Sequence, residues 1–323
     1  GADDTLLWTL PMFHCNGWCF PWAATAAGAT HVCLRRLDPA EVWRLIRAES
    51  VSIFCGAPTV LSMIANAPEA HPVDRPMRVL TGGSPPTPAI IRRTEQLGIS
   101  VLHLYGLTET FGPIMVNDWH PEWDGLDERR RAVLIARQGV GNVIAVRPRV
   151  VDPSGQEVPA DGSTTGEIAV RGNDLMLGYL KDPEATAAAI PDGWFRTGDL
   201  GVRHPDGYIE LRDRAKDVII SGGENISSVE VEAVLAEHPA VLECAVVAAP
   251  DDYWGEVPVA FVTLVQGAEP AGDELVEWVR NRIAHFKAPK RVLFGPLPKT
   301  STGKIQKFAL RERAAEDVRT VAG

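Results

Sequence analysis

The 323-residue chain has no basic excess, no second cysteine pair to complement Cys15 and Cys19, no low-complexity tract and no internal repeat. A formal net charge of -10 leaves no extended surface for nucleic acid, since neutralising phosphates needs clustered Lys and Arg; local basic spots still suit small polyphosphates. The five cysteines (Cys15, Cys19, Cys33, Cys55 and Cys244) lack metal-ligand spacing, and they read as reduced, buried thiols of a cytoplasmic protein. Charge is absent from Thr5 to Leu34, the pattern of a membrane span. Pro11, Gly17, Pro21 and Gly28 break that run together with His14 and His31, so a buried strand followed by a buried helix is expected and no membrane span. No Met precedes Gly1, and no charged-then-apolar leader follows it, so the 323 residues are expected to be a piece of a longer or processed chain.

What is present describes a globular protein. Hydrophobic residues make up 45% and charged residues 23%, with a near-zero mean hydropathy, and the length suffices for two or three packed units. Up to about Phe111, short β-rich runs (Val51 to Cys55, Met77 to Thr81, Ser100 to Tyr105) alternate with helical stretches, which predicts a mainly parallel α/β sheet. Asp38-Pro39-Ala40-Glu41 reads as a capping box opening a helix whose Val42, Leu45 and Ile46 share a face. From residue 140 to 211 the pattern is β-rich, with strands at Val143 to Val151, Gly166 to Arg171 and Gly207 to Leu211 and turns at Asp152 to Gly155 and Pro205 to Gly207. Residues 212 to 323 predict a small α+β domain with strands near Val218, Cys244 and Val259, helices at Val229 to Glu237 and Asp273 to Ala284, and a last helix from about Ile305. The expected division is therefore 1–211, itself 1–139 α/β and 140–211 β-rich, followed by 212–323.

Five segments carry chemistry. Tyr105-Gly106-Leu107-Thr108-Glu109 follows a buried strand and so emerges at the carboxyl end of the sheet, where open α/β sheets bind ligands. Thr108 can donate to a phosphate oxygen, Glu109 offers a hard oxygen to Mg²⁺, and Tyr105 presents a flat face to adenine; taken alone, the segment is also a plain helix cap. Gly82-Gly83-Ser84-Pro85 follows another buried strand and permits close backbone approach to a base or an acyl group. Asp199, in the Thr197-Gly198-Asp199 segment, can accept from ribose hydroxyls; taken alone, the segment is also a common structural turn. Arg214, within Asp213-Arg214-Ala215-Lys216-Asp217, has a fork of donors suited to ribose and phosphate, or to a surface salt bridge. Lys304, in Pro298-Lys299-Thr300-Ser301-Thr302-Gly303-Lys304, fails the phosphate-loop pattern because Gly295 is too distant and Ile305 follows it. It can instead bring one positive charge to a pentavalent transition state, or form a solvated basic tail with Lys299 and Lys307.

All five segments, in this order, resemble the adenylate-forming (AMP-binding) superfamily, and specifically the C-terminal portion of an acyl-CoA synthetase. The likeness extends to Gly166 through Tyr179, read as structural, and to Trp119 to Asp127. It is nearest to synthetases for short- and medium-chain acids, including methylmercaptopropionate. The resemblance implies ATP-dependent adenylation of a carboxylic acid, then thioester formation with coenzyme A, with ATP and Mg²⁺ required. It assigns Gly82, Gly83, Ser84, Tyr105, Gly106, Thr108, Asp199, Arg214 and Lys304 to the nucleotide, Lys304, Thr108 and Glu109 to catalysis, and Glu109 to the metal. His14, Trp18, Gly83 and Pro85 are assigned to the acyl pocket. If the chain turns helical after Phe13, His14 and Trp18 fall four apart on one face and could gate or floor that pocket; a histidine buried beside an aromatic core is the other reading. Lys216 corresponds to the hinge of the small domain, and Gly222 and Gly223 to the passage for the pantetheine arm of CoA.

Complete members of the family carry a Ser/Thr/Gly-rich loop ending in Pro-Lys-Gly that wraps the leaving pyrophosphate, and these 323 residues contain none. The chain alone is therefore expected to be inactive or nearly so. Two other readings stay open: adenylation with transfer to a carrier protein, disfavoured because no carrier segment follows Gly323, and a catalytically dead nucleotide sensor. Neither the acid nor the oligomeric state is legible in the sequence.

Overall fold

The computed structural model describes residues 1–321, with side chains through Glu316, and forms two compact units, Gly1–Leu211 and Arg212–Gly323. The first contains β1 (Thr5–Trp8), α1 (Cys15–Trp18), α2 (Phe20–Ala26), β2 (Thr30–Cys33), α3 (Pro39–Ala48), β3 (Ile53–Gly56), α4 (Pro58–Ala65), β4 (Met77–Thr81), α5 (Pro88–Gln96), β5 (Ile99–Leu107), β6 (Gly112–Val116), α6 (Glu128–Ile135), β7 (Val140–Gly141), β8 (Ala145–Val151), β9 (Gly166–Gly172), α7 (Pro183–Ala189) and β10 (Phe195–Arg203). The boundary falls inside β11 (Ile209–Arg214). The second unit continues with β12 (Ile219–Ser221), β13 (Glu224–Ile226), α8 (Ser228–Leu235), β14 (Val241–Asp251), β15 (Gly255–Leu264), α9 (Gly272–Arg280), β16 (Arg291–Phe294) and α10 (Lys307–Val321). The architecture is mixed α/β: a parallel sheet with a β-rich sheet, then a smaller α+β unit.

The main sheet has the order β2-β1-β3-β4-β5-β6-β7, parallel through β5 and antiparallel at β6 and β7. Helices pack on both faces, so its inner strands are largely apolar, although Arg78 of β4 and Ser100 of β5 are exposed. Leu7, Phe54, Val79 and Ile99 pack with Trp43 and Ile46 of α3 and Leu61 and Ile64 of α4. Leu6 and Trp8, offset by one residue from Leu7, meet Ala24 of α2 instead. Parallel strands share their direction, so the segments following β1, β4 and β5 leave from one edge. A four-stranded antiparallel sheet, β11-β10-β9-β8, completes the unit.

In the second unit the long β14–β15 pair is sandwiched. Val246, Ala260 and Val262 face Val231 and Leu235 of α8 and Leu275 and Val279 of α9. The alternate residues Ala245, Val247, Val259 and Phe261 face Leu310 and Ala314 of α10. This period of two, with both sets buried, is why the strands carry no polar face.

Several expectations need correction. The uncharged run does open with a buried strand, but α2 is largely exposed: Ala24 is its one buried residue, and Trp22 is 55% exposed. No helix among the described residues is long and apolar enough to cross a membrane. All five thiols are free, but only Cys55 is buried; Cys33 is exposed and the other three are partly covered. Asp38 caps α3 by accepting from the Glu41 amide at 3.1 Å, yet the Glu41 carboxylate pairs with Arg44 at 2.7 Å, so the reciprocal half of the capping box is not made. Lys307 is not part of a solvated tail, as described below.

His103, buried within β5, donates through Nδ1 to the Arg137 carbonyl at 2.9 Å. Burial pushes its pKa down from 6.5 to about 4, against the opposing pull of carbonyls of α6 and the residues after it. Between those values the unfolded chain binds a proton that the folded chain does not, so the neutral imidazole's contribution is complete above pH 6.5 and is lost on acidification toward pH 4. From about pH 7.5 to about pH 5 the chain is expected to lose about 2 kcal/mol more than a His103→Gln variant. Urea unfolding at both pH values checks this; equal losses in the two proteins refute it.

Candidate active site

The 3₁₀ turn Thr108–Thr110 follows β5 at the carboxyl end of the parallel strands. Its geometry rests on Thr110, 1% exposed, whose hydroxyl accepts from the Leu107 amide at 2.9 Å and lies 2.7 Å from the Gly112 carbonyl. Thr108 is thereby left exposed, its hydroxyl 3.7 Å from the Cys15 sulfur. Glu109 is half-buried and its Oε1 accepts from the Tyr179 hydroxyl at 3.1 Å, while its carbonyl accepts from the Met176 amide at 2.7 Å. Gly106 allows β5 and β6 to touch: a Cβ there would sit 2.0 Å from the Gly112 carbonyl oxygen.

Tyr105 is buried, and its hydroxyl donates to Asp199 Oδ2 at 2.7 Å. Asp199 is itself 4% exposed. It does not lie in a turn between strands, as expected, but in β10, where pairing with β9 slips between Arg196 and Leu200. Gly198 takes φ +71° there, and the Thr197 hydroxyl bridges the Ile168 carbonyl and the Asp199 amide at 2.8 and 3.1 Å. This β-bulge re-aims one side chain without ending the strand.

The expected helix over His14 to Trp18 is corrected. Cys15, Asn16, Gly17, Trp18 and Cys19 all have positive φ, between 45° and 66°, a left-handed turn in which the i, i+4 argument fails. Packing holds it: Trp18 is buried with Leu10, Cys55 and Leu104, and a Cβ on Gly17 would lie 2.9 Å from the Trp8 ring. Such sparsely populated backbone persists only where its surroundings over-determine it. The turn places Trp18 beside Gly82, whose added Cβ would be 3.3 Å from that ring and 2.6 Å from the Leu104 carbonyl oxygen. Gly83, by contrast, is exposed with φ +83° and no neighbour within 4 Å, so only its conformation requires glycine. Ser84, Pro85 and His14 are half-buried. Within the first unit the structure thus joins Tyr105 to Asp199, Thr108 to Cys15, Glu109 to Tyr179 and Trp18 to Gly82.

The remaining candidates belong to the second unit. Arg214 is half-buried, with its amide on Asp213 Oδ1 at 2.8 Å. Lys216 is exposed, and its carbonyl accepts from Arg311 at 3.4 Å. Gly222 and Gly223, φ +58° and +87°, form the two-residue hairpin between β12 and β13; the Gly222 amide donates to the Trp254 carbonyl at 2.8 Å. The Lys304 loop is closed by Thr300, which bonds the Lys304 carbonyl through its amide at 2.8 Å and the Lys304 amide through its hydroxyl at 3.1 Å. A buried hydroxyl such as that of Thr110 has no local signature in the sequence, and the Gly166–Tyr179 motif shows Tyr179 without showing its partner Glu109.

Among the described residues no group of three or more His, Cys, Asp or Glu could hold a metal ion. A single half-buried carboxylate such as Glu109 is nevertheless the donor set that suits Mg²⁺ arriving with phosphates, which keeps several waters and takes one or two carboxylates.

The family model described as AMP-binding enzyme matches residues 1–180, and that of the AMP-binding enzyme C-terminal domain matches residues 230–304. The chain is 53% identical over 313 residues to a 2-methylpropanoate–CoA ligase of Humulus lupulus, covering 95% of this chain and 56% of that protein. It is 50% identical over 319 residues to a peroxisomal acetate/butyrate–CoA ligase of Arabidopsis thaliana, covering 96% and 56%. The chain therefore spans a little over half the length of these relatives. Among solved structures, ATP-bound MatB from Rhodopseudomonas palustris superposes with a TM-score of 0.83 at 29% identity, over 97% of this chain and 60% of that one. An anthranilate CoA ligase in complex with anthranoyl-AMP gives 0.85 at 26%, over 98% and 61%. With more than half its length matched by the family model, the chain belongs to the AMP-binding enzymes, the adenylate-forming superfamily that includes the acyl-CoA synthetases.

Proposed function

We propose that the protein containing this chain is an acid–CoA ligase for a short- or medium-chain carboxylic acid. In the first step a carboxylate oxygen attacks the α-phosphorus of ATP and the α–β anhydride breaks, giving acyl-AMP and pyrophosphate. In the second the CoA thiol, losing its proton, attacks the acyl carbon and AMP leaves. The observation that carries this reading is the Thr108–Glu109 turn at the end of β5 beside a buried Tyr105–Asp199 pair, which sets phosphate chemistry from β5 next to a ribose acceptor from β10.

Thr108 donates a hydrogen bond from its hydroxyl to an α-phosphate oxygen, and Asp199, held by Tyr105, accepts hydrogen bonds from the ribose hydroxyls. Gly82, Gly83, Ser84 and Gly106 let the nucleotide approach the backbone, and Arg214 adds donors. Glu109, oriented by Tyr179, would hold Mg²⁺, which when bound neutralises phosphate charge. Lys304 supplies one ammonium as charge builds on the reacting phosphate. His14, Trp18, Gly83 and Pro85 border the acyl group, Lys216 serves as hinge, and Gly222 and Gly223 admit the pantetheine arm. The relatives named for 2-methylpropanoate and for acetate and butyrate support a small aliphatic acid. The 323 residues alone, without a pyrophosphate-wrapping loop among them, are proposed to be inactive or nearly so. Cysteine usage favours the cytoplasm as compartment, although the Arabidopsis relative is named peroxisomal.

The test is a panel of linear and branched acids with ATP and CoA on the full-length protein. Stoichiometric acyl-CoA, AMP and pyrophosphate are expected; formation of ADP, or acid-dependent AMP release indifferent to CoA, rejects the assignment.

A further inference from the structure

We propose that Lys307 is a positioning residue that ties the Lys304 loop to the segment Asp213–Asp217 through a buried chain of side chains. The proposal rests on the ligase reading only in naming Lys304 as the residue whose position matters.

Lys307 opens α10, three residues after Lys304. Its ammonium lies 2.7 Å from Glu232 Oε1 and 2.6 Å from the Ser228 hydroxyl. Ser228, 0% exposed, passes the contact on: its hydroxyl donates to Asp213 Oδ1 at 3.1 Å and its amide to Oδ2 at 2.5 Å. Asp213 Oδ1 in turn accepts from the Arg214 amide at 2.8 Å. Glu232 is anchored separately, by the Val246 amide of β14 at 2.7 Å.

One helical turn beyond Lys307, Arg311 bonds the Asp217 carboxylate and the Lys216 carbonyl. Residues i and i+4 share a helix face, so one face of α10 grips the segment at both ends, at Asp213 through Lys307 and at Lys216–Asp217 through Arg311. The Lys304 loop is the covalent lead into that face. Burial acts against the Lys307 charge, and Glu232 and Asp213 outweigh it, leaving its pKa above the ordinary range. Buried ion pairs of this kind are often no more stabilising than apolar residues of similar volume, and their best-attested use is to fix one arrangement among several. Here the arrangement fixed is the register between the Lys304 loop and the end of β11 with its following turn, which bear Arg214 and Lys216.

Two measurements test this. Hydrogen exchange on the chain itself compares wild type with Lys307→Met and with Ser228→Ala, which leaves the Lys307–Glu232 pair intact in case the first fails to fold. Exchange roughly tenfold faster in both 299–305 and 213–217, with β14 and β15 unchanged, is expected; unchanged protection in either segment overturns the proposal. In the full-length protein, pyrophosphate exchange is then measured for Lys307→Met, Lys307→Arg, Ser228→Ala, Lys304→Ala and the doubles with Lys304→Ala. If Lys307 acts through Lys304, its substitution or that of Ser228 costs roughly tenfold alone, almost nothing when Lys304 is already absent, and is largely rescued by Arg. Losses that multiply would show a merely structural role and sink the inference. Failure of Lys304→Ala itself to slow exchange would instead reject the ligase assignment of Lys304, with the exchange data still deciding the linkage.

Discussion

Replacing Lys304 with Ala is expected to slow acyl-adenylate formation by roughly 100- to 1,000-fold, while thioester formation from supplied acyl-adenylate stays within about tenfold of wild type. The reasoning is electrostatic. Adenylation brings a carboxylate against a polyphosphate, and charge concentrates on the α-phosphate oxygens as the new bond forms; one ammonium in a water-poor site offsets it far better than solvent does. The second half-reaction expels AMP from an acyl carbon that has already lost its anionic character, so the same ammonium has less to do. The loop suits the task because Thr300 closes it through both the amide and the carbonyl of Lys304, and the Lys299–Glu243 ion pair at 2.7 Å pins its base. Pyrophosphate exchange and single-turnover thioester formation on the full-length protein separate the steps. Equal loss in both would mean that Lys304 supports the fold or binds a group common to the two reactions.

The second large effect belongs to Gly106→Ala, expected to destabilise the first unit by roughly 3 kcal/mol or more. Its Cβ would stand 2.0 Å from the Gly112 carbonyl oxygen and 2.9 Å from Pro113 Cα, all backbone, so no side chain can swing aside. β5 and β6 must part, and with them the turn that presents Thr108 and Glu109. Gly83→Ala is the control. Its Cβ meets nothing within 4 Å and its cost is the left-handed conformation alone, on the order of 1–2 kcal/mol. Urea denaturation of both variants checks the ranking; a Gly106→Ala protein as stable as Gly83→Ala would mean that the two strands do not touch as described.

Much of the site was legible because its motifs are local. Tyr105 to Glu109 follows a buried strand, Gly222 and Gly223 make a tight hairpin, and both facts are properties of short stretches of chain. Where reading failed, a competing partner decided. Nothing between His14 and Trp18 announces a left-handed turn, which exists because Trp18 is drawn into a cluster with Cys55 and Leu104. Glu41 could have closed a capping box, but Arg44 offered a charged partner one helical turn away. Lys307 looked like one more cation in a basic tail until the fold set Glu232 and Ser228 against it.

By itself the sequence determined many of the elements, their alternation and the residue types available to phosphate, ribose and thiol chemistry, because hydrophobic period and turn chemistry act over a few neighbours. Only the tertiary structure decided which of those groups meet: that Tyr105 holds Asp199, that Tyr179 holds Glu109, and that one buried ammonium joins α10 to Asp213 through Ser228. Such contacts join residues from 15 to 94 positions apart, and a polar atom's partner is set by what packing leaves within hydrogen-bond reach once water has been expelled.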